Sequence, residues 1–311
     1  MNAQRFSLGL IFITLILITE LKAQKKILDH TAYDTWQFIK NQSISNDGKW
    51  ITYALEKNSI SDPVVKLSDF EGAEARSYPR GANPKFSFNG THLFFNLQPA
   101  IDDVNRLKRI KTKEEDLPLD TLGIYNVNTQ TLTKIPHLIS YKIPEKWSDW
   151  LVYQHKTPQD TTLKKAKKLS KKTSHELIIQ NLIDTARYKY PFVKEYTLSK
   201  KGGKIAFTSS ADDGEFQSGV YVFDTQKQSI QSIYASKGIF KSLKWDEAGQ
   251  HLSFVSDLDT TQSLNRYFNL HLWSIGDDKA ETILTAQDEY LEKTYLISEH
   301  TPLAFSKNGS L

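Results

Sequence analysis

An all-β fold built by repeating one unit is what this sequence predicts, and three observations carry the prediction. First, a turn-and-strand segment recurs without gaps as Ser45 to Tyr53, Ser87 to Phe95, Ser199 to Phe207 and Asp246 to Phe254. Each copy opens on Ser or Asp, with Gly three positions on, an aliphatic residue six on and an aromatic eight on. Second, another kind of short apolar run lies between the copies. Third, the markers Gly48, Gly90, Trp150, Gly202, Gly249 and Gly309 stand 42, 60, 52, 47 and 60 residues apart, the period of a β-propeller blade plus insertions. The predicted fold is a β-propeller, incomplete here, of about five to six four-stranded blades with WD40-like or TolB-like repeats, after an N-terminal signal peptide. The alternative is a sandwich of evenly spaced hairpins, which has no reason to reuse one turn sequence.

Residues 1–23 read as the signal peptide. Arg5 is a short positive n-region, Phe6 to Thr19 is almost unbroken apolar sequence, and Leu21-Lys22-Ala23 offers a cleavage site before Gln24. The run falls short of the roughly 20 residues a spanning helix needs. Export, to the periplasm or beyond, is therefore expected, with no stable membrane span. Residues 24–311 are the propeller. In each turn the Ser or Asp side chain can accept from backbone N–H groups two or three residues on, and Gly supplies an angle that other residues reach only with strain. The residues at six and eight positions then share one strand face.

Trp147 to Tyr153 reads as a degenerate copy without the Gly, and Ser306 to Leu311 opens a further copy that stops before its strand, so truncation in mid-blade is expected. The intervening strands are Val65 to Asp69, Ile124 to Thr129, Leu177 to Leu182, Val220 to Thr225 and Leu270 to Ile275, each followed by a polar hairpin turn. Two insertions break the period. About residues 99–116 form an amphipathic helix on Ile101, Val104, Leu107 and Ile110, acidic at its start, basic at its end and stopped by Pro118. About residues 155–174 form a loop carrying Lys164, Lys165, Lys167, Lys168, Lys171 and Lys172, read as solvated charge, with contact to an anionic surface as the other reading.

Composition excludes several functions. The 311 residues hold 40 Lys and Arg against 36 Asp and Glu, a net charge of +4 with no basic aromatic stripe, so no nucleic-acid partner is expected. Without cysteine there is no disulfide scaffold, thiolate zinc site, catalytic Cys or lipidated N-terminus. A mean hydropathy of −0.48 reads against an integral membrane protein.

Searching for chemistry leaves catalytic, cofactor and metal sites all at none. No Gly-x-Ser-x-Gly elbow is present, and Lys201-Gly202-Gly203-Lys204 is a repeat turn rather than a phosphate loop. His175-Glu176 opens like a zinc-protease motif, but Ile179 stands where the second His belongs. Ser210-Ala211-Asp212-Asp213-Gly214-Glu215 lacks the alternating oxygen ligands of a calcium loop and reads as a polar hairpin. Glu114-Glu115 could receive a substrate amine but reads as solvated charge.

Leu28-Asp29-His30-Thr31-Ala32-Tyr33-Asp34-Thr35-Trp36, followed by Ile44 to Trp50, resembles the mature start of prolyl-oligopeptidase-family (S9) serine peptidases of Bacteroidetes-type bacteria. Asp120 to Asn126, Ile143 to Trp147 and Leu303 to Gly309 are similar to the same group. The resemblance implies an N-terminal propeller that restricts peptide access to a C-terminal α/β-hydrolase domain bearing the Ser, Asp and His of a triad. This chain departs from the pattern in carrying only the propeller. No triad residue transfers to it, nor does the Glu pair that holds the substrate N-terminus in dipeptidyl-peptidase relatives. The resemblance thus implies a substrate-gating propeller, inactive alone, whose partner is a peptide bound for the missing hydrolase domain. A stand-alone periplasmic propeller binding a protein or peptide is the alternative. A propeller-borne lyase or metal-dependent hydrolase would need carboxylates, His or Tyr converging on one channel.

Overall fold

A computed structural model describes residues 29–57, 60–72, 75–156, 175–210, 216–259, 266–285, 288–289, 296–300 and 302–306. The signal peptide, nearly all of the Lys-rich loop, most of the acidic hairpin and the last partial repeat lie outside the described residues. The described residues of Met1–Gln37 and Lys57–Ile60 form one small unit. In it a 3-10 helix, His30–Thr35, sets Tyr33 edge-on to Trp36 at 5.1 Å. The second unit, Phe38–Glu56 with Ser61–Leu311, holds nearly all of the sheet structure.

Among the described residues that structure is five four-stranded antiparallel blades of a β-propeller, joined in sequence order. Blade 1 is β1 (Gln37–Ile44), β2 (Trp50–Lys57), β3 (Val64–Asp69) and β4 (Ala75–Pro79). Blade 2 is β5 (Gly81–Phe86), β6 (His92–Leu97), β7 (Thr121–Asn126) and β8 (Thr131–Ile135). Blade 3 starts with β9 (Leu138–Lys142), β10 (Trp150–His155) and β11 (His175–Asn181). Its fourth strand is the first half of the 12-residue β12 (Arg187–Leu198), whose second half is the innermost strand of blade 4. Blade 4 continues through β13 (Lys204–Ser209), β14 (Gly219–Asp224) and β15 (Ser229–Ala235). Blade 5 is β16 (Ile239–Trp245), β17 (His251–Asp257), β18 (Asn269–Ser274) and β19 (Glu281–Leu284). Simple consecutive order within each sheet rules out the sandwich, which needs crossovers between two sheets.

Each repeated turn leads into the second strand of its blade, and each intervening run becomes the third. The Gly residues do take left-handed angles: φ is +73° at Gly48, +72° at Gly90, +80° at Gly202 and +72° at Gly249. The turn's hydrogen bonds differ from the expectation. Ser45 Oγ, Ser87 Oγ, Ser199 Oγ and Asp246 Oδ1 each accept the N–H five residues on, the first of the strand, at 3.0, 3.0, 2.9 and 3.1 Å. The short-range acceptors are instead Asp47 and Asn89, which take the N–H of Lys49 and Thr91. The side chain thus ties the turn to the strand, closing the loop that the Ser45 N–H to Trp50 O bond closes in the backbone.

Blade 3 shifts one marker. β10 starts at Trp150, so the position of Gly48 or Gly202, two residues before the strand, falls to Ser148, and the left-handed angle moves to Asp149 (φ +72°). Glu145 then occupies the Ser/Asp position, with Leu151 and Tyr153 as its aliphatic and aromatic residues.

The insertion between β6 and β7 carries helix α1 (Ile101–Arg109), with Asp102 and Asp103 at its start and Arg106, Lys108 and Arg109 at its end. The Asp62 carboxylate accepts its first N–H, from Ile101, at 2.9 Å. Lys111, left-handed at φ +57°, stands just past its C-terminus, well before Pro118, so proline is not what stops it.

Candidate functional site

The innermost strands do the lining. A cavity of about 1450 Å³ is bounded by β1, β5, β9, β12 and β16 together with Ala304, Phe305 and Ser306. Counting back from the Ser/Asp position of each blade places its residues in register. Two back are Ser43, Lys85, Ile143, Thr197 and Lys244, all on the cavity wall. Four back are Asn41, Asn83, Tyr141, Glu195 and Ser242.

At this second level the strands are kinked. Asn41, Asn83 and Ser242 are left-handed (φ +51°, +52° and +59°), and strand register slips at Ala82/Lys85, Val193/Glu195 and Lys241/Lys244. Such bulges twist a strand and re-aim its side chains. Side chains of neighbouring blades meet at these bulges. Asn41 Nδ2 donates to Asn83 Oδ1 at 3.0 Å, and the Glu195 carboxylate accepts the N–H groups of Ser242 and Leu243 at 2.9 and 2.8 Å. Burial raises the Glu195 carboxyl above its usual range, while those two N–H groups, Lys142 and Lys241 oppose the rise. Lys241 pairs with Glu299, continuing the polar row.

Lys142 approaches from β9. Its ammonium donates to Tyr196 O at 2.7 Å and lies 4.9 Å from the centre of the Tyr196 ring. Burial lowers its pKa, against the pull of Glu195. The Tyr141 and Tyr196 hydroxyls are pushed up to about 12, by burial in both cases, so each stays a neutral phenol.

The turn end of the wall is charged. Glu247 pairs with Lys200 at 2.8 Å and with Lys146 at 3.4 Å, which holds its carboxyl below the ordinary value, the Lys200 hydrogen bond foremost. Asp246 spends its carboxylate on its own turn, accepting Gln250 N–H at 2.7 Å as well as His251 N–H. Neighbouring turns are tied in series: Asn46 to Phe88 O at 2.7 Å, Asn89 to Asp149 at 2.9 Å and Trp147 Nε1 to Ser199 O at 2.8 Å.

The residues singled out from the sequence lie elsewhere. Glu114 and Glu115 sit on an exposed 3-10 turn beyond α1, Glu115 near Lys113 at 3.8 Å. His175 and Glu176 start β11, where Glu176 faces Lys189 at 4.0 Å and Ile179 is buried in the core. Among the described residues no group of three His, Cys, Asp or Glu could hold a metal ion. No helix among them is long and apolar enough to cross a membrane. Sequence reading missed Asn41, Lys85, Asn83, Lys142, Glu195 and Lys244. They share no motif; what they have in common is a place two to four residues ahead of each repeated turn.

No protein-family model matches the chain, and no curated protein does. Among solved structures it is similar to the β-propeller domain of the Trilobed protease from Pyrococcus furiosus, at 11% identity and a TM-score of 0.42, covering 80% of this chain and 72% of that one. It is similar to Pyrococcus horikoshii acylaminoacyl peptidase at 9% identity and 0.41, covering 82% of this chain and 41% of that one. TolB from Acinetobacter baumannii stands at 14% identity and 0.33, with 76% and 52% covered.

Proposed function

We propose that this chain is the substrate-gating propeller of an exported prolyl-oligopeptidase-like serine peptidase, its catalytic triad supplied by an α/β-hydrolase domain that these 311 residues do not contain. The observation that carries the reading is the cavity walled by the innermost strand of each of the five described blades. At about 1450 Å³ it exceeds a typical small-molecule pocket and suits an extended peptide segment rather than a folded protein. Its wall offers peptide-like partners: amides at Asn41, Asn83 and Asn96, hydroxyls at Ser43 and Thr197, and lysine ammoniums. The resemblance of Leu28 to Trp36, Asp120 to Asn126 and Ile143 to Trp147 to S9 peptidases supplies the reaction class, and the residues before Gln24 supply the export route.

In mechanism the propeller contributes selection. A segment that threads the wall reaches the nucleophile, and a folded chain is held out. The test pairs two assays on the purified 311-residue chain. A fluorogenic proline-containing peptide should not be turned over, and an unlabelled flexible peptide of about ten residues should bind, with Thr197→Trp weakening it severalfold by filling the cavity. Peptidase turnover by the chain itself would overturn the assignment. Peptide binding indifferent to Thr197→Trp, with capture of a folded partner, would move the stand-alone binding propeller into first place.

A further inference from the structure

The cavity wall has an imbalance of charge that gating alone does not require. Seven ionisable side chains other than Tyr line it: Lys85, Lys142, Lys200 and Lys244 against Glu145, Asp246 and Glu247. The acids are mostly spent. Glu247 is shared between Lys200 and Lys146, Asp246 is held by the N–H groups of its own turn, and Glu145 lies within the field of Lys200. Lys142 is turned onto Tyr196 O. Lys85 and Lys244 are different. They occupy the same register position, two residues ahead of the turn, on β5 and β16, and both are exposed to the cavity. Neither ammonium has a hydrogen bond or ion pair to any described residue. Among the described residues of this wall, Lys85 and Lys244 are therefore two positive charges that no acid offsets.

Resting on the peptide-gating reading, we infer that the cavity selects by charge: it takes peptide segments bearing Asp, Glu or a free C-terminal carboxylate and disfavours segments rich in Lys or Arg. Lys85 and Lys244 are the specificity-determining residues. Ammoniums in a concave wall act on a passing carboxylate with less screening than on an open surface, and they raise its local concentration.

The experiment uses the whole chain and three ten-residue flexible peptides that differ only in charge, acidic, neutral and basic, each with one neutral fluorophore, followed by anisotropy. At low salt the acidic peptide should bind roughly 5-fold tighter than the neutral one and the basic peptide more weakly, the gap closing at about 0.5 M salt. The double variant Lys85→Gln with Lys244→Gln should bring the acidic peptide to the affinity of the neutral one, while Lys113→Gln, outside the cavity, should leave the preference intact. Equal binding of acidic and neutral peptides, or a preference that survives the double variant, would sink the charge selection and leave gating standing. Failure of all three peptides to bind would remove the gating reading and this inference with it.

Discussion

Blades 1 and 4 are written in the same repeat yet buried differently. In blade 4 the central strands are buried almost end to end, β13 at Ile205 to Ser209 and β14 at Gly219 to Phe223. In blade 1, β3 alternates: Val65 and Leu67 are fully buried, while Val64 and Lys66, each preceding one of them, are only partly covered. The clusters explain why. The aliphatic and aromatic repeat positions of blade 4, Ile205 and Phe207, pack on Trp150, Val152, Leu177 and Ile179 of blade 3. Those of blade 5, Leu252 and Phe254, pack on Ala206, Val220 and Val222 of blade 4. Those of blade 2, Leu93 and Phe95, pack on Ala54, Val65 and Leu67 of blade 1. The corresponding pair in blade 1, Ile51 and Tyr53, has no preceding blade among the described residues and stays partly exposed. The repeat thus encodes an interface rather than a strand, and a residue's energetic weight depends on whether the neighbouring blade is there.

The sharpest way to break this comparison is to truncate the same repeat position in both blades. Phe207→Ala removes a fully buried ring packed between Tyr190 and Tyr221 and should cost about 3–5 kcal/mol. Tyr53→Ala should cost less, about 1–2 kcal/mol, since its side chain is only partly buried and has no preceding blade to pack on among the described residues. Urea unfolding of the two variants decides it. Similar losses would mean that blade 1's open face is covered in solution.

This dependence also sets what could be read from the sequence. The second and third strands of every blade were legible, because the turn, the +6 and +8 pair and runs such as Val220 to Thr225 are local signals. Blade 3's register was legible only to within two residues, since Ser148 and Asp149 replace Gly with a residue pair that carries no motif. The cavity wall was not legible as a site. Lys85 and Lys244 stand two residues ahead of the Ser/Asp position and Glu195 four, no motif marks either level, and nothing local says that a bulge at Asn83 or Ser242 re-aims a strand. Non-local partners such as Asp62 on the first N–H of α1 are invisible in principle to reading along the chain.

A second contrast is chemical. Residues 37–79, which make blade 1, hold no histidine, whereas His271 of blade 5 is fully buried against Phe254 of its own blade and Tyr234 of blade 4. Its ring nitrogens meet Ser256 Oγ at 2.7 Å and Thr282 Oγ1 at 3.1 Å, and burial pushes its pKa down to about 4. A base whose folded pKa lies below its unfolded value stabilises the fold fully above about pH 6.5, and that contribution drains away as pH falls through the folded value. Stability should drop by about 3 kcal/mol between pH 7 and pH 4 on this account. His92, also lowered by burial, should act in the same direction. Hydrogen exchange at pH 4.5 should show β17 and β18 loosening before β2 and β3. His271→Gln should flatten the stability profile between pH 6.5 and 4, and an unchanged slope would assign the acid sensitivity elsewhere.

The smallest and cleanest test uses glycine. Gly48 and Gly249 hold the same turn position at nearly the same angle, φ +73° and +72°, so the backbone strain of alanine is shared, about 1–2 kcal/mol in each. The two positions differ in their neighbours. A Cβ on Gly48 meets nothing within 4 Å, whereas one on Gly249 would stand 2.4 Å from the Lys201 carbonyl oxygen and 3.1 Å from the Ser199 Cβ, both in the preceding blade's turn. A backbone oxygen cannot rotate away as a flexible side chain would, so the turns of blades 4 and 5 must part. Gly249→Ala should therefore lose about 2 kcal/mol more than Gly48→Ala. The difference between the two variants, measured in one denaturant series, isolates the blade-to-blade contact from the conformational cost. Equal losses would mean that the turns are not packed on one another and that strain alone keeps glycine in the repeat.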